Sequence, residues 1–328
     1  MGMMSNRRGT MWQSLKRAAN RLLDRVNRSL SRPRRPPAPK SNAPAPTVSY
    51  GPLRRILLTD GVAHTLFEEY AAHRGEAHGD EETGWVLLGL RMADEAVVLG
   101  TLPAGAEADA GVAHVRFNSD AQALAYRIVR QTDRRLTIVG VVHTHPGSLR
   151  HPSDGDFRGD SAWVAGLRGG EGVFGIGNAD GKDASAPLFA QQPRPNVQCL
   201  GKLRFSWYTL ARGDAAYRPV PLELTIGPDL ARSLHPLWPT LEAHAERLDR
   251  LYLQQAGMRF EVTTDEKGTG LMLTLPLAAD GEAVRVLVRQ KEVRYYVARG
   301  GELLAVQFND DYVDRGVYFL LAELAGRN

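Results

Sequence analysis

The stretch LTIVGVVHTHP, residues 136–146, decides the fold of this chain, and PSDGD, residues 152–156, follows it after a short loop. The run from Leu136 to Val142 is rich in β-branched residues, which is typical of a strand that is buried on both faces. Such strands lie inside sheets that helices cover, and strand-like and helix-like patterns alternate over residues 53–215. The sequence therefore predicts an α/β domain over residues 53–215.

Two histidines end this predicted strand. His143 and His145 are two residues apart, so the period of a strand directs both rings to the same side. Pro146 ends the strand, and Ser153 and Asp156 follow at the start of a predicted helix. Two imidazole nitrogens and one carboxylate oxygen leave the fourth position of a tetrahedral zinc ion open for water, which is the composition of a catalytic zinc site. We therefore expect His143, His145 and Asp156 to bind one Zn²⁺ ion.

Each half of this constellation also has a simpler explanation. A His-x-His pair can occur by chance, and Ser153-x-x-Asp156 resembles a capping box, in which the serine caps a helix and the acid returns the hydrogen bond. The two halves together, placed at the end of a buried strand, favour the metal site.

An acidic residue upstream could accept a proton from a water on the metal. Glu82 lies in ETGWVLLG, residues 82–89, at the entry to a hydrophobic strand that would carry it to the interior of the sheet. A carboxylate in that position can take a proton during attack and return it to the leaving amine. Glu81 competes for this role, and a solvated pair of loop acids is the alternative for both residues.

The set of Glu82, His143-Thr144-His145-Pro146 and Ser153-x-x-Asp156 resembles the JAMM motif of the JAB/MPN metalloprotease family. The resemblance covers roughly residues 53–215 and implies a cytidine-deaminase-like mixed sheet sandwiched by helices. It further implies a zinc-dependent isopeptidase or peptidase that acts at the C-terminus of ubiquitin or a ubiquitin-like protein. His143, His145 and Asp156 would be the zinc ligands, Glu82 the general acid/base, and Ser153 a donor to the developing oxyanion.

Two branches of this family fit the motif to different degrees. Many relatives carry Gly-Gly or Cys-Gly where this chain has Gly84-Trp85, which leaves the choice of substrate open. A branch associated with bacterial DNA repair carries His-Asn-His-Pro, and Thr144 instead of Asn favours the ubiquitin-like branch. A catalytically silent scaffold and a repair-associated protein remain the alternatives to an isopeptidase.

The remainder of the chain, residues 216–328, changes character. A helical pattern, a series of short strands and a final helix predict a separate α+β domain: helix, antiparallel meander, helix. This order weakly resembles the ubiquitin-conjugating or RWD-like fold, but the segment has no cysteine and could not carry a thioester. We expect a module that recruits the modifier or an activating- or conjugating-type enzyme, and the alternative is an extension that completes the first domain.

The net charge of +4 combines a basic N-terminal segment with an acidic remainder. Residues 1–40 hold eleven Lys or Arg and one acid, a charge of +10, so residues 41–328 carry −6. Residues 1–31 predict a basic amphipathic helix that contacts a partner, an anionic membrane or nucleic acid, or is a solvated extension. Residues 32–52 predict a proline-rich linker. The single cysteine, Cys199, excludes an intramolecular disulfide and suits the cytoplasm, and no apolar run is long enough to span a membrane.

Overall fold

A computed structural model describes residues 49–77, 79–104, 120–147, 149–179, 190–255, 257–278, 281–308 and 310–326. The predicted basic helix over residues 1–31 and most of the predicted linker over residues 32–52 lie outside the described residues. The described residues up to Asp314 belong to one compact unit, and those from Arg315 belong to a second. No helix among the described residues has the length and apolar character needed to cross a membrane.

The described helices, numbered in chain order, are α1 (Asp60–Arg74), α2 (Asp120–Val129), α3 (Asp154–Trp163), α4 (Trp238–Gln254) and α5 (Val313–Gly326). The described strands are β1 (Arg55–Thr59), β2 (Gly84–Arg91), β3 (Glu95–Pro103), β4 (Thr137–Thr144), β5 (Glu171–Asn178), β6 (Gln191–Arg194), β7 (Val197–Leu200), β8 (Leu203–Ala211), β9 (Arg218–Pro219), β10 (Leu222–Thr225), β11 (Arg259–Asp265), β12 (Gly268–Pro276), β13 (Ala283–Arg289), β14 (Glu292–Arg299) and β15 (Glu302–Ala305).

The first sheet is mixed, and within the described residues its strands run in the order β10-β1-β3-β2-β4-β5-β8-β7-β6, with β9 paired to β8. β4 lies inside the sheet, antiparallel to β2 and parallel to β5, as the hydrophobic run predicted. The prediction of an α/β domain with a mixed sheet between helices is confirmed.

The two faces of β4 contact different helices, which positions the end of the strand. Val142 belongs to a core cluster that includes Leu66 and Phe67 of α1. Val141 belongs to a second cluster, against which Phe157 and Trp163 of α3 pack. Because side chains alternate along a strand, His143 shares the face of Val141 and therefore faces the side where α3 lies.

Glycines allow the central strands to approach closely. A Cβ atom at Gly140 would overlap the carbonyl oxygen of Val173 on the neighbouring strand. Gly175 and Gly177 of β5 leave room for the side chains of Val142 and Thr144, which a Cβ at either glycine would meet at 2.8 and 2.9 Å. These glycines therefore serve the packing of β4.

The second sheet is an antiparallel meander in the order β11-β12-β13-β14-β15, and α4 precedes it while α5 follows it in the chain. This confirms the predicted α+β arrangement. The predicted border between residues 215 and 216 is too early, because β9 and β10 belong to the first sheet and β10 pairs in parallel with β1. Burial of Leu222 against the first core draws this segment into that sheet.

Polar contacts join the segment before α4 to the first domain. His235 Nδ1 lies 2.5 Å from Glu69 Oε1 of α1, and His235 Nε2 donates to the carbonyl oxygen of Thr101 at 2.7 Å. Arg232 donates to Glu69 at 2.7 Å. Burial lowers the pKa of His235, but the hydrogen bond and charge of Glu69 outweigh burial and raise that pKa overall. His235 is thus a buried, paired residue at this junction.

Candidate functional site

The structure brings His143, His145 and Asp156 together in a buried cluster. The side chains of these three residues offer ligand atoms that lie within 4.8 Å of one another. The two Nε2 atoms are 3.0 Å apart, and each lies 3.2 Å from a different carboxylate oxygen of Asp156. The exposed fraction is 7% for His143, 4% for His145 and 7% for Asp156.

Backbone contacts with neighbouring strands fix the positions of His143, which lies in β4, and of His145, which follows the end of β4. His143 is paired with Gly84 of β2 and with Ile176 of β5. The amide of His145 follows the end of β4 and donates to the carbonyl oxygen of Gly177 at 2.8 Å. The backbone at both histidines is therefore held by contacts that do not depend on their side chains.

Asp156 has two roles at once. The amide of Ser153 donates to Asp156 Oδ2 at 2.6 Å, and the amide of Asp156 donates to Ser153 Oγ at 3.2 Å, which forms the capping box that begins α3. The same carboxylate contacts both histidine rings. The capping box therefore orients the acid toward the histidines, and the two explanations of this sequence pattern are compatible.

The charges of the cluster shift its pKa values in opposite directions. Burial lowers the pKa of His143, but the hydrogen bond and charge of Asp156 reverse that effect and leave the pKa raised above its ordinary value. Burial raises the pKa of Asp156, yet the hydrogen bonds from His143 and His145 hold it well below its usual range. The cluster therefore favours a carboxylate beside a positively charged group.

The residues fit a bound metal ion. Two imidazole nitrogens that face each other at 3.0 Å need a shared proton or a cation between them, and Asp156 supplies the negative charge that stabilises either. His145 Nδ1 is buried and has no hydrogen-bond partner among the described residues. Two nitrogens and one carboxylate oxygen are the donor set of catalytic zinc sites.

Glu82 lies two residues before the strand pair that contains His143. The β2–β4 pairing matches Gly84 with His143, and the amide of Thr144 donates to the carbonyl oxygen of Thr83 at 2.8 Å. Glu82 immediately precedes Thr83 on this segment. The charge of Glu82 also contributes to the raised pKa of His143. Glu82 is half-buried, just before β2 begins.

Neighbouring contacts hold the segments around the cluster. His73 of α1 lies with its Nε2 atom 3.0 Å from the carbonyl oxygen of Glu81. Tyr208 donates its hydroxyl to the carbonyl oxygen of Arg150 at 3.1 Å, in the loop between β4 and α3. The first contact holds the segment just before Glu82, and the second holds the loop before Ser153.

Sequence reasoning missed Asp160 and Tyr217. Tyr217 donates its hydroxyl to Asp160 Oδ2 at 2.6 Å, and the charge of Asp160 contributes to the raised pKa of His143. Burial, together with the charge and hydrogen bond of Asp160, raises the pKa of Tyr217. Asp160 follows Asp156 by one helical turn, a spacing that could have indicated it, whereas nothing local in the sequence indicates Tyr217.

A mixed sheet whose inner strand ends in a buried His-His-Asp cluster defines an α/β domain with a candidate metal centre. Residues 64–188 match the sequence profile described as prokaryotic homologs of the JAB domain, and this range includes all five predicted site residues. This region of the chain is therefore similar to the JAB domain.

A solved structure similar to this chain is the solution structure of a protein from Desulfitobacterium hafniense, with a TM-score of 0.33 and 16% sequence identity, covering 52% of this chain and 94% of that chain. No curated protein sequence matches the chain.

Proposed function

We propose that this chain is a zinc-dependent isopeptidase or peptidase that cleaves after the C-terminus of a ubiquitin-like protein. The observation that carries the proposal is the convergence of His143, His145 and Asp156 within 4.8 Å in a buried cluster, with Glu82 two residues before the Gly84–His143 pair. The resemblance of these residues to the JAMM motif supports the substrate class.

His143, His145 and Asp156 would hold the zinc ion in this reaction. Bound there, zinc supplies Lewis acidity, which lowers the pKa of a water molecule and polarises a peptide carbonyl. Main-chain contacts fix the backbone of both histidines, and the amide of Ser153 orients the carboxylate. These three residues therefore need little rearrangement when they bind the ion.

Glu82 moves the proton in the proposed reaction. Its carboxylate accepts a proton from the attacking water and returns it to the nitrogen of the leaving amine. Its position just before β2, whose first residue pairs with His143, and its electrostatic effect on His143 support this role. Glu81 is the competing acid on the same segment, and its backbone carbonyl oxygen contacts His73 on α1.

Ser153 stabilises the negative charge that develops on the carbonyl oxygen. Its Oγ atom accepts a hydrogen bond from the amide of Asp156, which leaves its single hydroxyl proton for another acceptor. A donor that is fixed before the reaction stabilises such a charge without reorganisation.

We further propose that the second sheet and the helices beside it in the chain recruit the modifier or an activating- or conjugating-type enzyme. The antiparallel meander that follows α4 supports this role, because it follows the order of the ubiquitin-conjugating and RWD-like folds. A peptidase assay on a truncated chain would not test this recruiting role, whereas co-purification of the full chain with such an enzyme would.

The test of the peptidase is cleavage of a ubiquitin-like protein that carries a C-terminal extension, with and without a chelator. Wild-type protein loaded with zinc should release the extension. Glu82→Gln should keep its zinc and lose about 10²–10⁴-fold in rate, which is the usual contribution of general acid–base catalysis. Glu81→Gln is the matched control and should cleave at nearly the wild-type rate.

Each other outcome has a defined meaning. Cleavage that persists in Glu82→Gln, or in the presence of chelator, would contradict the mechanism. One zinc ion per chain without cleavage of any extended ubiquitin-like protein would instead support a catalytically silent scaffold.

A further inference from the structure

A second candidate binding site lies where α2, α4 and β11 meet. A cavity of about 710 Å³ opens there, and four of its lining residues are arginines: Arg127 and Arg130 at the end of α2, Arg134 in the following loop, and Arg259 at the start of β11. Small-molecule sites in proteins commonly have volumes of roughly 300–1,000 Å³. The cavity is therefore large enough for a ligand the size of a nucleotide.

The charge around this cavity is not balanced. Arg127 pairs with Asp249 and lies over the ring of Tyr252, 6.0 Å from its centre. In the part of the chain that the structure describes, Arg130, Arg134 and Arg259 contact no carboxylate, and no carboxylate lines the cavity. Among the described residues, three guanidinium groups thus line one concave surface without a counter-charge.

Arg130 is held in place at this surface. Its Nη2 atom donates to the carbonyl oxygen of Arg134 at 2.8 Å, and its guanidinium lies 5.2 Å from the centre of the Tyr126 ring. Its Nε atom is buried and has no hydrogen-bond partner among the described residues. The contact with Tyr126 explains the placement of the Arg130 guanidinium, but it leaves the buried Nε donor unsatisfied and does not explain the two other arginines.

The chemistry of these side chains indicates a phosphate-bearing ligand. Arginine presents a planar fork of donors that matches phosphate and carboxylate oxygens in pairs. A phosphate monoester carries a charge of about −1.5 to −2 on one small group, whereas an acidic side chain carries −1. Three guanidinium groups around a cavity of this volume match the more concentrated charge.

The cavity is separate from the His-His-Asp cluster. Arg134 lies three residues before β4, and His143 lies near the opposite end of that strand. Seven residue steps at about 3.3 Å give the strand a length of roughly 23 Å.

We propose that this arginine-lined cavity binds a small ligand that carries two or more phosphate groups, independently of the proposed peptidase reaction.

The test is calorimetric titration of the full chain with sodium tripolyphosphate at 0.15 M salt. Wild-type protein should show one saturable site. Arg134→Gln and Arg259→Gln should each raise the dissociation constant about tenfold or more, because each removes charge-assisted hydrogen bonds. Both side chains are exposed, so circular dichroism and thermal unfolding should show an unchanged fold.

Two control variants exclude binding elsewhere. Arg54→Gln removes an arginine that is 82% exposed and lies outside the cavity lining, and it should bind like wild type. The double variant Arg34→Gln/Arg35→Gln lowers the charge of the basic N-terminal segment and should also bind like wild type. Extraction of zinc by tripolyphosphate would give the same heat in every variant, so it cannot imitate the expected dependence on the cavity arginines.

Three results would overturn the proposal. The first is the absence of saturable binding to wild-type protein, and the second is equal affinity of wild-type, Arg134→Gln and Arg259→Gln proteins. The third is tighter binding of a hexaglutamate peptide than of tripolyphosphate in the same titration, which would make the cavity a site for acidic peptide segments.

Discussion

Glu171 gives the sharpest test of the forces that stabilise the first sheet. Its carboxylate accepts hydrogen bonds from the amide of Leu53 at 2.6 Å, from Arg91 Nη2 at 3.2 Å and from Arg218 Nη2 at 2.7 Å. The side chains of Glu171 and Arg91 are only 3% and 2% exposed, whereas that of Arg218 is 45% exposed. Replacing Glu171 would therefore leave the charge of Arg91 buried and uncompensated.

The expected magnitude follows from burial. Removing one partner of a buried ion pair costs about 3–5 kcal/mol, whereas a pair as exposed as that with Arg218 contributes between roughly 0 and 1 kcal/mol. Glu171→Gln keeps an acceptor for the amide of Leu53, so we expect a loss of about 4 kcal/mol. At about 2–4 °C per kcal/mol for a unit of this size, the midpoint of thermal unfolding should fall by roughly 8–16 °C.

The assay is thermal and urea unfolding beside a matched control. Glu223→Gln breaks an ion pair with Arg55 at 3.5 Å whose side chains are 56% and 48% exposed, and it should lower stability by less than about 1 kcal/mol. The double variant Glu171→Leu/Arg91→Met should be more stable than Glu171→Leu alone, because it removes both charges. Equal stability of Glu171→Gln and Glu223→Gln would refute the argument from burial.

Two further predictions concern the metal centre and the core. Asp156 raises the pKa of His143 in the metal-free chain, so zinc must displace a proton when it binds. If one proton is released, the affinity for zinc should fall roughly tenfold for each pH unit below neutrality. Competition with a chromophoric chelator between pH 6 and 8 measures this affinity, and an affinity that does not change with pH would contradict the prediction. Gly140→Ala should destabilise the chain by at least about 3 kcal/mol in urea unfolding, because its Cβ would overlap the carbonyl oxygen of Val173. Gly166→Ala, where the added Cβ meets nothing within 4 Å, is its control, and equal losses in the two variants would rule out this explanation.

The strands that the sequence predicted and those that it missed differ in burial. Strand β4 is a continuous apolar run because helices cover both of its faces, so its pattern is visible locally. Strand β6 is exposed at all four of its residues, and β10 buries only Leu222. Short polar edge strands carry no periodic signal, because their pairing depends on which strand offers a free edge.

The sequence by itself determined the His-x-His pair, the capping box that orients Asp156 and the buried strand between the helices. These features depend on strand period, helix capping and β-branched residues, which act over a few neighbouring positions. Only the tertiary structure decided that Glu82 lies close enough to His143 to affect its pKa, that Tyr217 contacts Asp160, and that arginines of α2 and β11 share one cavity. Each of these contacts joins residues far apart in the chain, and they form only when burial of the core selects one register of the strands and one packing of the helices.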